Sequence, residues 1–246
     1  MGNPDGVTTG EAAATAPATA SPVPREPDRS RAGGIVVLLV GLLAAASNCT
    51  FVFRAASPSR LDPFNSMISE LEVPGQPLSE FFRSSSLLSG VAAALFAVGL
   101  YRRLPRGRLG LAACGALAVF GVAGAVDALI PMDCAPSASA VCFRDELDGP
   151  TSWPYQAHSW FDVAGTVALL AALWLLGRHL RHRTGWQVAG VASGVGFVWL
   201  CVGSVVLTVM AIWYLPGVGL VQRLVVLATS AWLAVLAFAQ RRVPGD

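Results

Sequence analysis

The amino-acid sequence predicts an all-α integral membrane bundle of six transmembrane helices, with the N- and C-termini in the cytoplasm. Three observations predict it. Hydrophobic residues make up 54% of the chain and charged residues 13%, against about 25% charged in an ordinary soluble domain, so the charges are too few to cover a water-facing surface. The apolar residues gather into six runs, 34–56, 84–101, 109–130, 161–177, 188–213 and 220–239, each near the roughly 20 residues that cross a bilayer. Arginines collect in alternate connections between the runs. Backbone groups in hydrocarbon must bond within their own segment, so each run is a helix.

Taken in order, residues 1–32 are rich in Ala, Thr, Pro and Gly and are expected to be a disordered cytoplasmic tail. No apolar core follows Met1, so no signal peptide is read there. In the first run Ala44-Ala45-Ala46 resembles a cleavage site, with Cys49 close behind. Asn48 before that cysteine and the continuing Phe51-Val52-Phe53 favour an uncleaved helix. The third run carries Gly121 and Gly124; the fifth carries Gly190 and Gly194 with Ser193 and Gly196. Such small residues let helix backbones approach closely and predict a compact bundle, homodimerisation through the same faces being the alternative. The fourth run is the shortest and is expected to begin at His158 or earlier; the fifth is long enough to tilt. The six helices form one domain, 33–241, and 242–246 is a short cytoplasmic tail. Cys49, Cys114 and Cys201 lie inside apolar runs and read as small buried hydrophobes.

Orientation follows from arginine, which supplies all 17 basic residues; the lack of lysine reads as codon bias of a GC-rich, bacterial genome. With the N-terminus inside, the inner segments hold Arg25, Arg29, Arg31, Arg102, Arg103, Arg106, Arg108, Arg178, Arg181, Arg183, Arg241 and Arg242. The outer segments hold only Arg54, Arg60, Arg83, Arg144 and Arg223. This is the positive-inside rule, carried mostly by two short loops where it is most reliable. The cell membrane is the expected location.

The connections left outside hold the chemistry. Asp62-Pro63 looks like a helix start, and Phe64, Met67, Ile68 and Leu71 follow at i, i+3, i+4 and i+7. A short amphipathic helix over 64–71 is expected, apolar side down, as a cover for the bundle or a lid over a site. Cys134 and Cys142 lie in the second outer loop with seven residues between them, and an oxidising compartment favours a disulfide there. Trp153, Tyr155 and Trp160 read as interface anchors. Arg83, Asp127, Asp133, His158 and Asp162 cluster where loops meet helices, with His158 and Asp162 on one helical face. Charges near the membrane need partners or a wet cavity, and Arg83 is expected to pair with Asp127 or Asp162. His158 with Asp127, Asp133 or Asp162 is the only three-ligand metal set the outer side offers, short of the usual zinc histidines. Ser69, Glu70 and His158 contain the elements of a nucleophilic set, without a Gly-x-Ser-x-Gly elbow.

Asn65-Ser66-Met67-Ile68-Ser69-Glu70-Leu71, then Gly75-Gln76-Pro77 and Phe82, together with Pro131-Met132-Asp133-Cys134, Cys142, Ser152-Trp153 and His158, form a pattern. It resembles the bacterial six-helix membrane family catalogued as domain of unknown function 998, over roughly residues 33–240. The resemblance implies a six-helix bundle and no activity; the matching residues with functional potential are Ser69, Glu70, Asp133 and His158. Where the family often has glycine after the Ser-acid-Leu triplet, this chain has Glu72.

A net charge of +2 and the lack of a basic run interleaved with aromatics exclude nucleic acid as a partner. The expected partners are membrane lipids, a second copy or another membrane protein; no cofactor is expected. The leading function is non-enzymatic binding of a lipid, small amphiphile or partner protein at the outer leaflet. The alternative is an intramembrane hydrolase or lipid-modifying enzyme using His158 with outer carboxylates. A small transporter ranks third, because the helix midplanes hold little polarity beyond Asn48 and Ser204.

Overall fold

The computed structural model describes residues 29–56, 58–59, 61–148 and 151–242; the tail expectations for 1–28 and 243–246 lie outside them. Seven α-helices are present among the described residues: α1 (Arg29–Asn48), α2 (Ser79–Tyr101), α3 (Arg108–Leu129), α4 (Ala140–Asp148), α5 (Trp153–Leu180), α6 (Gln187–Ile212) and α7 (Val218–Arg242). All but α4 are long and apolar enough to cross a membrane, so the chain is a multi-pass membrane protein. α1 already starts at Arg29, so the last residues of the expected tail, 29–32, are helical. The fourth span starts at Trp153, earlier than its apolar run, because Ser152 accepts from Tyr155 N at 3.3 Å and Pro154 sits in the first turn.

The six spans form a closed ring. α1 packs on α2 and α7, α2 on α3, α3 on α5, α5 on α6, and α6 on α7. The inward face is rich in alanine with larger side chains between: α2 buries Ala92, Ala93, Phe96, Ala97 and Leu100 and exposes Val91, Leu95 and Val98. This is the arrangement a lipid solvent permits, because packing and interhelical hydrogen bonds, not apolar burial, hold helices together there. A Cβ on Gly90 would lie 2.4 Å from Ala125 N, and one on Gly121 would lie 2.5 Å from Ala94 N. A Cβ on Gly190 would lie 2.4 Å from Arg181 N. Gly121 and Gly190 are therefore used inside the bundle, as the compact-bundle expectation required, whereas a Cβ on Gly194 would meet open space. Polar side chains stitch the ring: Ser89 Oγ donates to Ala44 O at 3.0 Å, Asn48 Nδ2 to Ser230 Oγ at 3.0 Å, and Trp232 Nε1 to Ser193 Oγ at 2.9 Å.

The two ends of the ring differ. At one, here the arginine end, buried His179 ties the α5 terminus to the α2–α3 connection through Pro105 O, 2.9 Å from Nε2. Gln240 Nε2 reaches Gly34 O at 2.9 Å. The other, the disulfide end, holds 49–56, 58–59 and 61–78, the Cys134–Cys142 disulfide (Cα atoms 6.0 Å apart) and the α6–α7 turn. Trp153, Trp160 and Trp213 are exposed around it, as an interfacial aromatic belt would be. Of the free cysteines, Cys114 is buried and Cys49 and Cys201 are partly so.

The amphipathic helix expected over 64–71 does not form as an α-helix. Its cap is present: Asp62 Oδ1 accepts from Phe64 N at 3.0 Å, and Asp62 O accepts from Asn65 N and Ser66 N. The helix then stops after a turn, and only a 3-10 turn over Ser69–Glu72 follows. The reason is competition from α7. Phe64 O, which the next helical turn needs, accepts from Leu220 N at 3.2 Å. Ile68 N donates to Gln222 Oε1 at 2.6 Å, and Gly217 N donates to Asn65 Oδ1 at 2.9 Å. Burial does not follow one face: Leu71 is buried as expected, but so are Ser66, Glu70 and Glu72, and Phe64 is exposed. Gly219 makes the seat, since a Cβ there would meet Ser66 O at 2.3 Å.

Candidate functional site

Two adjoining cavities occupy the disulfide end. The inner one, of about 400 Å3, lies inside the ring between the ends of α1, α2, α3, α5 and α7, roofed by Met67, Ile68, Ser69 and Glu72. Its charged lining is Glu72, Asp127, Glu146, Asp162 and His158. The outer one, of about 360 Å3, lies under α4 and the α6–α7 turn and is lined by Phe143, Met210, Tyr214, Leu215 and Val218 among others, with mostly apolar walls. Met67, Met132, Glu146 and Tyr155 line both and form the partition.

His158 and Asp127 meet across α5 and α3 with Nδ1 and Oδ1 2.8 Å apart, and both side chains are largely buried. The contact is close but its N–H···O alignment is poor. Asp162, one turn further along α5, and Glu72 from the 3-10 turn both act electrostatically on the imidazole. Glu72 Oε1 accepts from Ser86 Oγ at 2.5 Å. Burial raises the Glu72 carboxyl above the usual carboxylate range and Asp127 adds to this, while the Ser86 hydrogen bond, His158 and Arg83 oppose it. Asp162 lies about 13 Å along α5 from its start. An ionised group at a span centre costs about 2.5–3.5 kcal/mol on the insertion scale, so its position in a cavity wall is an economical one.

The α5 wall of the cavity carries accessible residues. α5 and α6 are close toward the arginine end, where a Cβ on Gly177 would lie 3.3 Å from Gly194 N and Trp174 stacks on Phe197 at 5.1 Å. Ser159 is roughly five full turns from Gly177 and so on the same stripe of α5. Gly177 is buried, yet Ser159, Asp162 and Val163 are exposed. On α6, Val202, Val205, Val206, Val209 and Ile212 are exposed in turn. Asp162 and Val163 thus keep accessible surface where they border the inner chamber, beyond the close contact of α5 with α6.

Glu70 is not part of the His158 group. Its Oε1 accepts from Met67 N at 3.0 Å, and its Oε2 accepts from Ser137 N at 3.0 Å and from Ser137 Oγ. The nucleophilic set of Ser69, Glu70 and His158 thus does not assemble: Ser69 and His158 share the inner cavity, but the carboxylate is committed to the disulfide loop. Arg83 pairs with Glu80 Oε1 at 2.8 Å rather than with Asp127 or Asp162. The helical i, i+3 partner is adjacent on the same element and needs no reach across the bundle. Asp133 accepts from Ser152 Oγ at 2.8 Å, outside the inner cavity. Among the described residues no three His, Cys, Asp or Glu side chains are arranged to hold one metal ion.

Two residues of this end make contacts that the sequence reading did not foresee. Glu72 was not counted there with the charged cluster of the outer side. Arg223 was counted only as an outer charge, yet its Nη1 donates to Ser66 O at 2.7 Å and Gly219 O at 2.9 Å, and its guanidinium stands 6.0 Å from the Phe51 ring. The available signal was Gln222-Arg223 interrupting an apolar run.

A family model described as protein of unknown function (DUF998) matches residues 38–239. No curated protein and no solved structure matches the chain.

Proposed function

The chain belongs to the family described as protein of unknown function (DUF998), a description that assigns no activity, and we propose that it binds a small amphiphile at the outer leaflet of the cell membrane. The reading places the N- and C-termini in the cytoplasm, supported by the arginines of the two short loops at one end of the ring. The observation that carries it is the pair of contiguous cavities, one charged and one apolar, at the end marked by exposed tryptophans. A polar head fits the inner chamber and a hydrocarbon chain the outer one, with Met67, Met132 and Tyr155 at the waist. Apolar walls with a few convergent polar groups are the usual make-up of a small-molecule site.

The test fills the waist. Met132→Trp adds an indole to the partition, and a dansyl-tagged dodecyl amphiphile should then lose saturable binding to protein in nanodiscs while the bundle stays monodisperse. Unchanged binding would remove the reading. Orientation is tested separately. After mild reduction, Cys134 and Cys142 should react with a membrane-impermeant maleimide on intact cells, and labelling only after permeabilisation would reverse it.

One observation favours a second reading, a hydrolase: the 2.8 Å approach of Asp127 to His158, which is how a base imidazole is oriented. Turnover of an ester-linked amphiphile, abolished by His158→Ala, would transfer the assignment to it.

A further inference from the structure

We propose that the head group taken by the inner cavity is an organic ammonium, and that it arrives laterally from the bilayer through the gap between α5 and α6, with Asp162 as its first contact. This rests on the amphiphile reading and specifies the class of amphiphile. The charge of the wall decides it. Glu72, Asp127, Glu146 and Asp162 line the chamber against His158 as the only basic side chain, and no arginine is among the lining residues. Arg83, whose charge reaches Glu72, is already engaged by Glu80. A phosphate or sulfate head would meet this set without a single guanidinium to pair with, whereas anion sites are built from such groups.

Two side chains point to a missing cation independently of the count. Glu72 is only 8% exposed, and its Oε1 is occupied by Ser86. No donor among the described residues reaches its Oε2, although the residue forms part of the cavity roof. Asp162 has no hydrogen-bond or ion-pair partner among the described residues, lies within a membrane span and borders the chamber. Buried or membrane-embedded carboxylates normally hold a partner; here the partner's place is the cavity. Phe51, Phe82 and Phe120 face the same space, and aromatic faces attract ammonium groups. The route is lateral because Asp162 and Val163 both border the chamber and keep accessible surface on the side of α5 that Gly177 presents to α6 nearer the arginine end.

The experiment compares three tail-labelled dodecyl probes of matched length, bearing trimethylammonium, glucoside and phosphate heads, on full-length protein in nanodiscs, with empty nanodiscs as the partition control. The ammonium probe should bind saturably and at least about tenfold more tightly than the glucoside, with the phosphate weakest. Asp162→Asn, at an exposed and unpaired position, should weaken the ammonium probe about tenfold and leave the glucoside unchanged, and Asp162→Glu should restore it. Equal binding of the three heads, or an Asp162→Asn variant that binds the ammonium probe as wild type does, overturns the ammonium assignment and leaves the amphiphile reading standing. No saturable binding of any probe above empty nanodiscs overturns both.

Discussion

Gly219→Ala separates two opposed effects on one residue. Gly219 lies in the first turn of α7 and does not have a positive φ, so helix propensity alone favours alanine by about 1 kcal/mol. The structure says the opposite. The new Cβ would lie 2.3 Å from Ser66 O and 2.9 Å from Pro63 O, both backbone atoms, so the loop must lift by nearly an ångström. Four hydrogen bonds hold that loop on α7: Arg223 Nη1 to Ser66 O, Ile68 N to Gln222, Gly217 N to Asn65 and Leu220 N to Phe64 O. At about 1 kcal/mol net for each neutral bond and about 1.5–3 for the charged one, their full loss would cost roughly 5 kcal/mol. Partial loss set against the propensity gain leaves a net loosening of about 3 kcal/mol, or roughly a hundredfold in an opening equilibrium. Hydrogen exchange measured by mass spectrometry in nanodiscs reads this directly: peptides covering 62–73 should lose about two decades of protection, while α2 and α3 keep theirs. If Gly219→Ala protects that segment as well as or better than wild type, the loop does not sit on α7 as described.

Two further outcomes follow from the site. Glu72 has a raised carboxyl pKa in the folded chain, so its contribution to stability is complete below the ordinary carboxylate range and is lost as pH rises through the folded value. Glu72→Gln keeps an oxygen for Ser86 and should raise the melting temperature at pH 7–8, with the gain closing toward pH 4; an equal gain at both ends would rule out ionisation as the cause. Cys134→Ser opens the disulfide loop that presents Ser137 to Glu70. Loop-closure entropy for so short a loop is worth about 2.5 kcal/mol, so a lower melting temperature is expected, matched by wild type in reductant; no shift in either would argue against the crosslink.

The spans were legible because hydrocarbon imposes a strict local rule: twenty apolar residues bond to themselves whatever surrounds them. The disulfide and the shared helical face of His158 and Asp162 were legible for the same reason, being settled by neighbours in sequence, whereas the Ser152 cap was not read and the fourth span was expected only from His158 or earlier. What failed was settled at a distance. The 64–71 segment has the cap and the periodicity of a helix, and it is α7, about 150 residues away in the chain, that takes its Phe64 carbonyl and Ile68 amide. Arg83 illustrates the reverse error, since a remote carboxylate was favoured although Glu80 stood one turn away. Of the candidate site, Asp127, His158 and Asp162 come together in one cavity, whereas Glu70 and Asp133 turn to serines of other segments, Ser137 and Ser152. No spacing in the sequence distinguishes those two groups, because the difference is which loop folds over which helix end.

The contact of α1 with α7 joins helices that leave the ribosome far apart in time. Until α7 arrives, Asn48 lacks Ser230 and the Gly34 carbonyl lacks Gln240, so the earlier five spans would wait in the bilayer with a polar flank facing lipid. The circle is thus zipped shut last along a hydrogen-bonded edge, and a nascent chain halted before α7 would present that flank to whatever insertase or chaperone patrols the membrane.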